Sequence, residues 1–190
     1  MTRVLPVLLA LGCAPSLSET HVWDDGDGSA LGKVVTSGEG DGVMSTTVDA
    51  TDATAWTAVD LDADAVEADY GDDVWDLAFQ RFEIAVNGGV TGPGGVEAVF
   101  MEGLELSDVT AIPDEGWATD EPDGPDENAL PDYVFRPWFD YDGDTHVVSA
   151  HPAAFAVRST EGRHFALQML EYYDDAGSPG MITFRWKRLD

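Results

Sequence analysis

The chain has 190 residues, with 9 Lys plus Arg against 37 Asp plus Glu, a formal net charge of −28, one cysteine and 44% hydrophobic residues. Six Trp, eight Phe and five Tyr are enough to build a folded core despite that charge. Clustered Lys and Arg that could hold phosphates are absent, which excludes nucleic acid as a partner, and a lone cysteine excludes an internal disulfide.

Residues 1–12 read as a targeting segment, with Arg3 as the positive flank and Val4, Leu5, Val7, Leu8, Leu9, Ala10 and Leu11 as the apolar run. Ala10-Leu11-Gly12-Cys13 is similar to a bacterial lipobox, so Cys13 is expected to carry the lipid that holds the chain to a membrane. Residues 13–42 are rich in Ser, Thr, Gly, Asp and Glu without periodicity and are expected to form a flexible acidic tether.

From Val43 to Asp190 the texture is that of an all-β domain, an antiparallel β-sandwich with long acidic loops. Strands are expected at Val43–Val48, Ala55–Leu61, Trp75–Val86, Val96–Met101, Tyr133–Tyr141, His146–Ser149, Ala154–Ser159, His164–Tyr173 and Met181–Leu189. Ile182, Phe184 and Trp186 alternate with Thr183, Arg185 and Lys187, the period of two of a half-buried strand. In Trp75–Val86 the alternation changes phase at Gln80-Arg81, which predicts a bulge in one long strand. Ser107–Pro131, with four prolines among acids, is expected to be a long exposed loop.

Motifs for chemistry are sparse. There is no G-x-S-x-G, no H-E-x-x-H and no cysteine paired with a base, so no catalysis is expected. Asp60-Leu-Asp62-Ala-Asp64 and Asp140-Tyr-Asp142-Gly-Asp144 offer oxygen ligands without the spacing of a twelve-residue calcium loop; solvated turns are the simpler reading, and calcium stabilisation the other. His21 falls in the tether, and His164 begins a strand as an ordinary cross-strand residue. His146 and His151 are five residues apart, an odd spacing that puts them on opposite faces of a straight strand unless the chain breaks before Pro152.

Trp75-Asp-Leu-Ala-Phe-Gln-Arg81, Asn87-Gly-Gly89, Phe155-Ala-Val-Arg-Ser-Thr-Glu-Gly162, Leu167-Gln-Met-Leu-Glu-Tyr-Tyr173 and Thr183-Phe-Arg-Trp186, with Ala55-Trp56 and Asp60-Leu61 upstream, together resemble the HmuY family over roughly Ser45 to Asp190. The resemblance implies a lipoprotein of a Gram-negative outer membrane that captures haem or a related tetrapyrrole, without catalysis, and passes it to an outer-membrane receptor. Family members grip the iron with two side chains, histidines in some and methionines in others, outside the matched blocks. The corresponding stretches here offer His146 and His151 before Phe155, and Met101 after Asn87-Gly-Gly89. The matched Trp75, Asp76, Phe79, Arg81, Asn87, Gly88, Gly89, Tyr172 and Tyr173 are expected to determine the fold. The alternative is a structural or interaction lipoprotein of the same fold without haem. Asp outnumbers Glu about two to one and Lys is nearly absent, the mark of a surface that keeps its hydration in salty surroundings.

Overall fold

The computed structural model describes residues 32–124 and 128–190. The leader, Cys13 and most of the expected tether lie outside the described residues. Twelve strands follow in chain order: β1 Val34–Gly40, β2 Val43–Asp49, β3 Thr57–Asp60, β4 Val66–Ala68, β5 Leu77–Gln80, β6 Glu83–Val86, β7 Glu97–Glu102, β8 Phe139–Asp142, β9 Val147–Ala150, β10 Ala153–Arg158, β11 His164–Tyr173 and β12 Pro179–Arg188. Every pairing is antiparallel. One sheet has the order β1-β2-β12-β11-β10-β7, a second β4-β3-β5-β6, and β8 and β9 form a separate ribbon. No helix among the described residues is long and apolar enough to cross a membrane.

The two sheets enclose the core. Val59, Leu77, Phe79, Ile84 and Val86 from the smaller sheet meet Val48, Phe155, Leu167, Ile182, Phe184 and Trp186 from the larger one. Phe79 stacks on Phe184 across the interface with centroids 5.7 Å apart. Each fully buried ring of this kind contributes about 1.5–3 kcal/mol. The alternation read in Met181–Leu189 is realised, with Ile182, Phe184 and Trp186 buried. Trp186 satisfies its indole by donating Nε1–H to the Thr46 hydroxyl at 2.9 Å, as a buried indole requires.

Three expectations are corrected. The domain does not begin at Val43: β1 occupies residues 34–40 of the expected tether and pairs with β2 from Val34↔Val48 to Gly40↔Val43. As an edge strand it needs only one buried face, and its polar residues are those of a solvent side. Trp75–Val86 is not one bulged strand but the hairpin β5–β6. Its turn holds Arg81 at φ +53, where a hairpin normally takes Gly or Asn. Arg81 tolerates this because its N–H donates to Ala50 O at 2.8 Å and its Nη1 donates to Thr51 O and Pro179 O, each at 3.2 Å. The described residues of Ser107–Pro131 are irregular but not simply exposed. A short 3-10 turn, Leu106–Asp108, seats Leu106 and Val109 against Ala154 and Ala166 on the outer face of the larger sheet, and Asp120 is buried.

Asp120 fastens that loop to the sandwich. Its carboxylate accepts from Val86 N at 2.9 Å, Val134 N at 2.9 Å and the Thr91 hydroxyl at 2.7 Å. Asp76, also buried, accepts from Leu61 N at 2.8 Å and Thr160 N at 2.7 Å, joining the end of β3 to the β10–β11 turn. Burial raises both carboxyls from 3.8 to about 6 against the opposing effect of these donors, and at Asp76 the nearby Asp62 and Asp60 add to the rise.

Candidate functional site

The motif residues sit at joints of the fold. Trp75 is buried against Ala58 and Ala78, with Tyr70 beside it at 5.0 Å. The Asn87 amide donates to Trp75 O at 2.9 Å and Asp73 O at 3.1 Å, and its oxygen accepts from Gly94 N at 2.9 Å. Gly88 and Gly89 run so close to Val96 O and Asp120 O that a Cβ on either would overlap those carbonyls, and Gly89 has φ +65. Tyr172 packs against Phe82 and Trp138, with Arg81 6.0 Å from its ring. Tyr173 reaches across to the ribbon, where its hydroxyl accepts from Val148 N at 3.0 Å.

The ribbon carries the donor groups. His146 closes the turn between β8 and β9 at φ +59; His151 follows β9 and donates its N–H to Trp138 O at 2.8 Å. The two histidines therefore lie at opposite ends of β9, separated by four strand residues that rise about 3.4 Å each, and do not converge. Met101 is separated from His151 too. Register pairs Phe100 with Phe155 and Met101 with Ala154, so Phe100 faces the core while Met101 packs in the outer cluster with Leu106 and Val109. His151 stays on the Phe100 side, with ring centroids 6.2 Å apart.

Each ribbon histidine is anchored through one nitrogen. His151 Nδ1 lies 2.9 Å from the Asp140 carboxylate, which can only accept, so Nδ1 carries the proton and Nε2 of the neutral ring keeps its lone pair. An imidazole held this way by a carboxylate is oriented as metal-ligating histidines are. His146 Nδ1 lies 2.5 Å from the Tyr141 hydroxyl. Tyr141, 56% exposed, was not singled out by the sequence, and Asp140 was read there only as part of an acidic turn with oxygen ligands, not as a partner of His151. The signal was present in Phe139-Asp140-Tyr141-Asp142, an alternation with a turn directly before His146. That turn is capped by Asp142, whose Oδ1 accepts from Asp144 N at 2.8 Å and Thr145 N at 3.2 Å.

A cleft of about 560 Å³ opens between β9 and the end of β11, with Val148, Ala150 and Tyr172 in its wall and Glu171, Asp174 and Asp175 contributing acid. The size suits a small-molecule ligand. Among the described residues no Lys or Arg lines it. Elsewhere, Asp60, Asp62 and Asp76 bring carboxylate oxygens within 4.8 Å of one another. Asp62 there faces Arg163 Nη1 at 3.4 Å and accepts from the Ser159 hydroxyl at 2.9 Å, while Asp64 lies in the adjoining turn at φ +63.

The described residues thus form an antiparallel sandwich with a ribbon that carries two histidines beside a cleft. The family model of the HmuY protein matches residues 52–147, and the chain belongs to that family. Solved structures share the fold at low identity. A Bacteroides fragilis NCTC 9343 protein described as a lipoprotein is 19% identical with a TM-score of 0.60, over 82% of this chain and 96% of its own. A Bacteroides vulgatus ATCC 8482 protein described as HmuY-like and haem-binding is 16% identical with a TM-score of 0.61, over 83% and 97%. The apo HmuY analog of Tannerella forsythia is 17% identical with a TM-score of 0.58, over 84% and 98%. A search of curated proteins returns no match.

Proposed function

We propose that this chain is an outer-membrane lipoprotein, acylated at Cys13, that binds haem or a related tetrapyrrole without catalysis and hands it to an outer-membrane receptor. The observation that carries the reading is the β8–β9 ribbon, where His151 is oriented by Asp140 at 2.9 Å and His146 is held by Tyr141 at 2.5 Å. Both leave a ring nitrogen available, and Phe100 lies beside His151. This donor set fits an iron porphyrin held from one side. Haem iron accepts imidazole or phenolate axial ligands, and His151, His146 and Tyr141 are the groups that would hold it. Met101 and His151 do not form a pair as arranged, so ligation by one protein side chain is the form the ribbon supports.

The acidic lining of the cleft favours a second reading, an interaction lipoprotein of this fold without haem, because Glu171, Asp174 and Asp175 repel propionates. Titrating hemin into the full chain separates the two. A sharp Soret band that shifts in a His146→Ala/His151→Ala double variant is expected; a spectrum identical to free hemin would reject haem binding.

A further inference from the structure

We infer that the cleft between β9 and the end of β11 binds a small aliphatic diamine or polyamine, a ligand whose ammonium groups are joined by a methylene chain. The inference stands apart from the haem reading, because the charge of the cleft is the opposite of what the propionates of a porphyrin need. Three observations carry it: the unpaired edge of β9, the carboxylates at the end of β11, and the apolar residues that line the cleft with them.

Strand β9 has a partner strand, β8, on one side only. In an antiparallel ladder, hydrogen-bonded and non-hydrogen-bonded pairs alternate. The His151 N–H donates to Trp138 O at 2.8 Å, and the register runs from Phe139↔Ala150 to Asp142↔Val147. Val147 and Ser149 therefore turn their backbone groups to β8, while those of Val148 and Ala150 point to the other edge. The Val148 N–H bears this out by donating to the Tyr173 hydroxyl at 3.0 Å. Both residues of that bond line the cleft, so the carbonyls of Val148 and Ala150 are turned to the same side. No strand lies there to supply a donor, and a ligand carrying N–H groups satisfies them.

The end of β11 supplies the charge. Glu171, Asp174 and Asp175 are exposed and line the cleft. Asp174 is fixed by its own turn, where Oδ1 accepts from Ser178 N at 2.7 Å and Ala176 N at 2.9 Å. These donors hold its carboxyl below the ordinary value, so it is ionised at neutral pH. Elsewhere the scarce arginines stand against acids, Arg136 with Glu83 and Arg158 with Glu97. Among the described residues the three cleft carboxylates have no such cation, and a cationic ligand provides one. Each ammonium brings three donors for carboxylate or carbonyl oxygens. Acceptors on both β9 and β11 call for more than one ammonium. Val148, Ala150, Leu170 and Tyr172 give the methylenes between them an apolar surface. A volume of about 560 Å³ suits an organic ligand, and a bare metal ion would leave the apolar residues unused.

The test is calorimetric titration of 1,4-diaminobutane into the full chain at fixed ionic strength, with butylamine and magnesium chloride as parallel probes. Two double variants are compared, with melting temperature measured on each. Glu171→Gln/Asp175→Asn removes two charges at the cleft, and Asp114→Asn/Glu115→Gln removes two from exposed positions outside it. One diamine should bind per chain, at least about tenfold more weakly in the cleft variant and unchanged in the other, with butylamine also weaker than the diamine. Amide NMR shifts in the wild type should centre on Val147–Ala150 and residues 170–175. Equal weakening in both variants would reduce the effect to net charge and overturn the inference. So would shifts spread over the other acidic loops, magnesium binding as tightly as the diamine, or no diamine binding at all. The hemin spectrum tests the haem reading separately, so either can fail while the other stands.

Discussion

Asp120 provides a sharp test of how the acidic loop is held. Burial raises its carboxyl from 3.8 to about 6 even though three donors oppose the rise. A raised folded value means the folded state binds the proton more tightly than the unfolded chain does. That contribution is fully present below the unfolded value of 3.8 and is lost as pH climbs through about 6. With one pKa unit worth 1.36 kcal/mol, the group adds almost nothing at about pH 7.5 and about 1.4 kcal/mol at about pH 5. For a domain of this size that is about 3–6 °C of melting temperature. Relief of charge repulsion among the other acids also stabilises the wild type at pH 5, but it acts equally on Asp120→Asn and cancels in the comparison. The assay is urea unfolding of wild type and Asp120→Asn at both pH values. The wild type should gain about 1.4 kcal/mol more than the variant on acidification. An equal gain in both would refute the argument that this buried carboxylate titrates near neutrality.

Gly89→Ala places a Cβ against Asp120 O at φ +65 and should cost about 3 kcal/mol or more, visible as a large loss of melting temperature; a near-neutral variant would mean that the loop can shift away. Melting temperature should rise from low salt to about 1 M as repulsion within a chain of net charge −28 is screened, and a flat profile would assign the acidity another role. Arg163 and the Ser159 hydroxyl already engage Asp62, so chelator should leave melting unchanged. A calcium-dependent rise abolished in Asp62→Asn would instead make the Asp60, Asp62 and Asp76 cluster a cation site. Ferric porphyrin affinity should strengthen with added salt, because the cleft presents Glu171, Asp174 and Asp175 and no cation; weakening with salt would reveal a basic contact to the propionates.

Where side chains alternate against a single core, the fold was legible in the residues themselves. The C-terminal meander β10–β11–β12 reads directly from Phe165, Leu167, Phe184 and Trp186, apolar residues at alternating positions that all turn to the core. The hairpin β5–β6 was hidden because its turn uses Arg81 at positive φ with no glycine or asparagine to announce it. The support for that turn comes from Ala50, Thr51 and Pro179, residues remote in the sequence. Strand β1 was hidden for another reason: an edge strand with one covered face can be mostly Ser, Thr, Gly and Glu. The site was legible in part. Both ribbon histidines stand out by residue type, but their separation depends on β9 running straight between them, and the contact of His146 with Tyr141 depends on the left-handed backbone of His146.

The loop shows how charge composition misleads. Asp120 is one of many acids between residues 107 and 131, and nothing in its neighbours distinguishes it, yet among the described residues of that run it is the one acid buried beneath three donors. The basic residues make the complementary point. Arg136 pairs with Glu83 at 3.3 Å, Arg158 with Glu97 at 2.7 Å and Arg163 with Asp62 at 3.4 Å, while Arg185 meets Glu39. Arg81 is spent on backbone carbonyls. These pairs bind β7 to β10, the β10–β11 turn to the segment after β3, and β12 to β1. Each is partly exposed and weak alone, but in a chain so short of cations they go to holding elements together rather than to the cleft. On the proposed haem reading, affinity for an anionic porphyrin would therefore have to come from a bond to iron and from apolar contact rather than from a cation in the cleft.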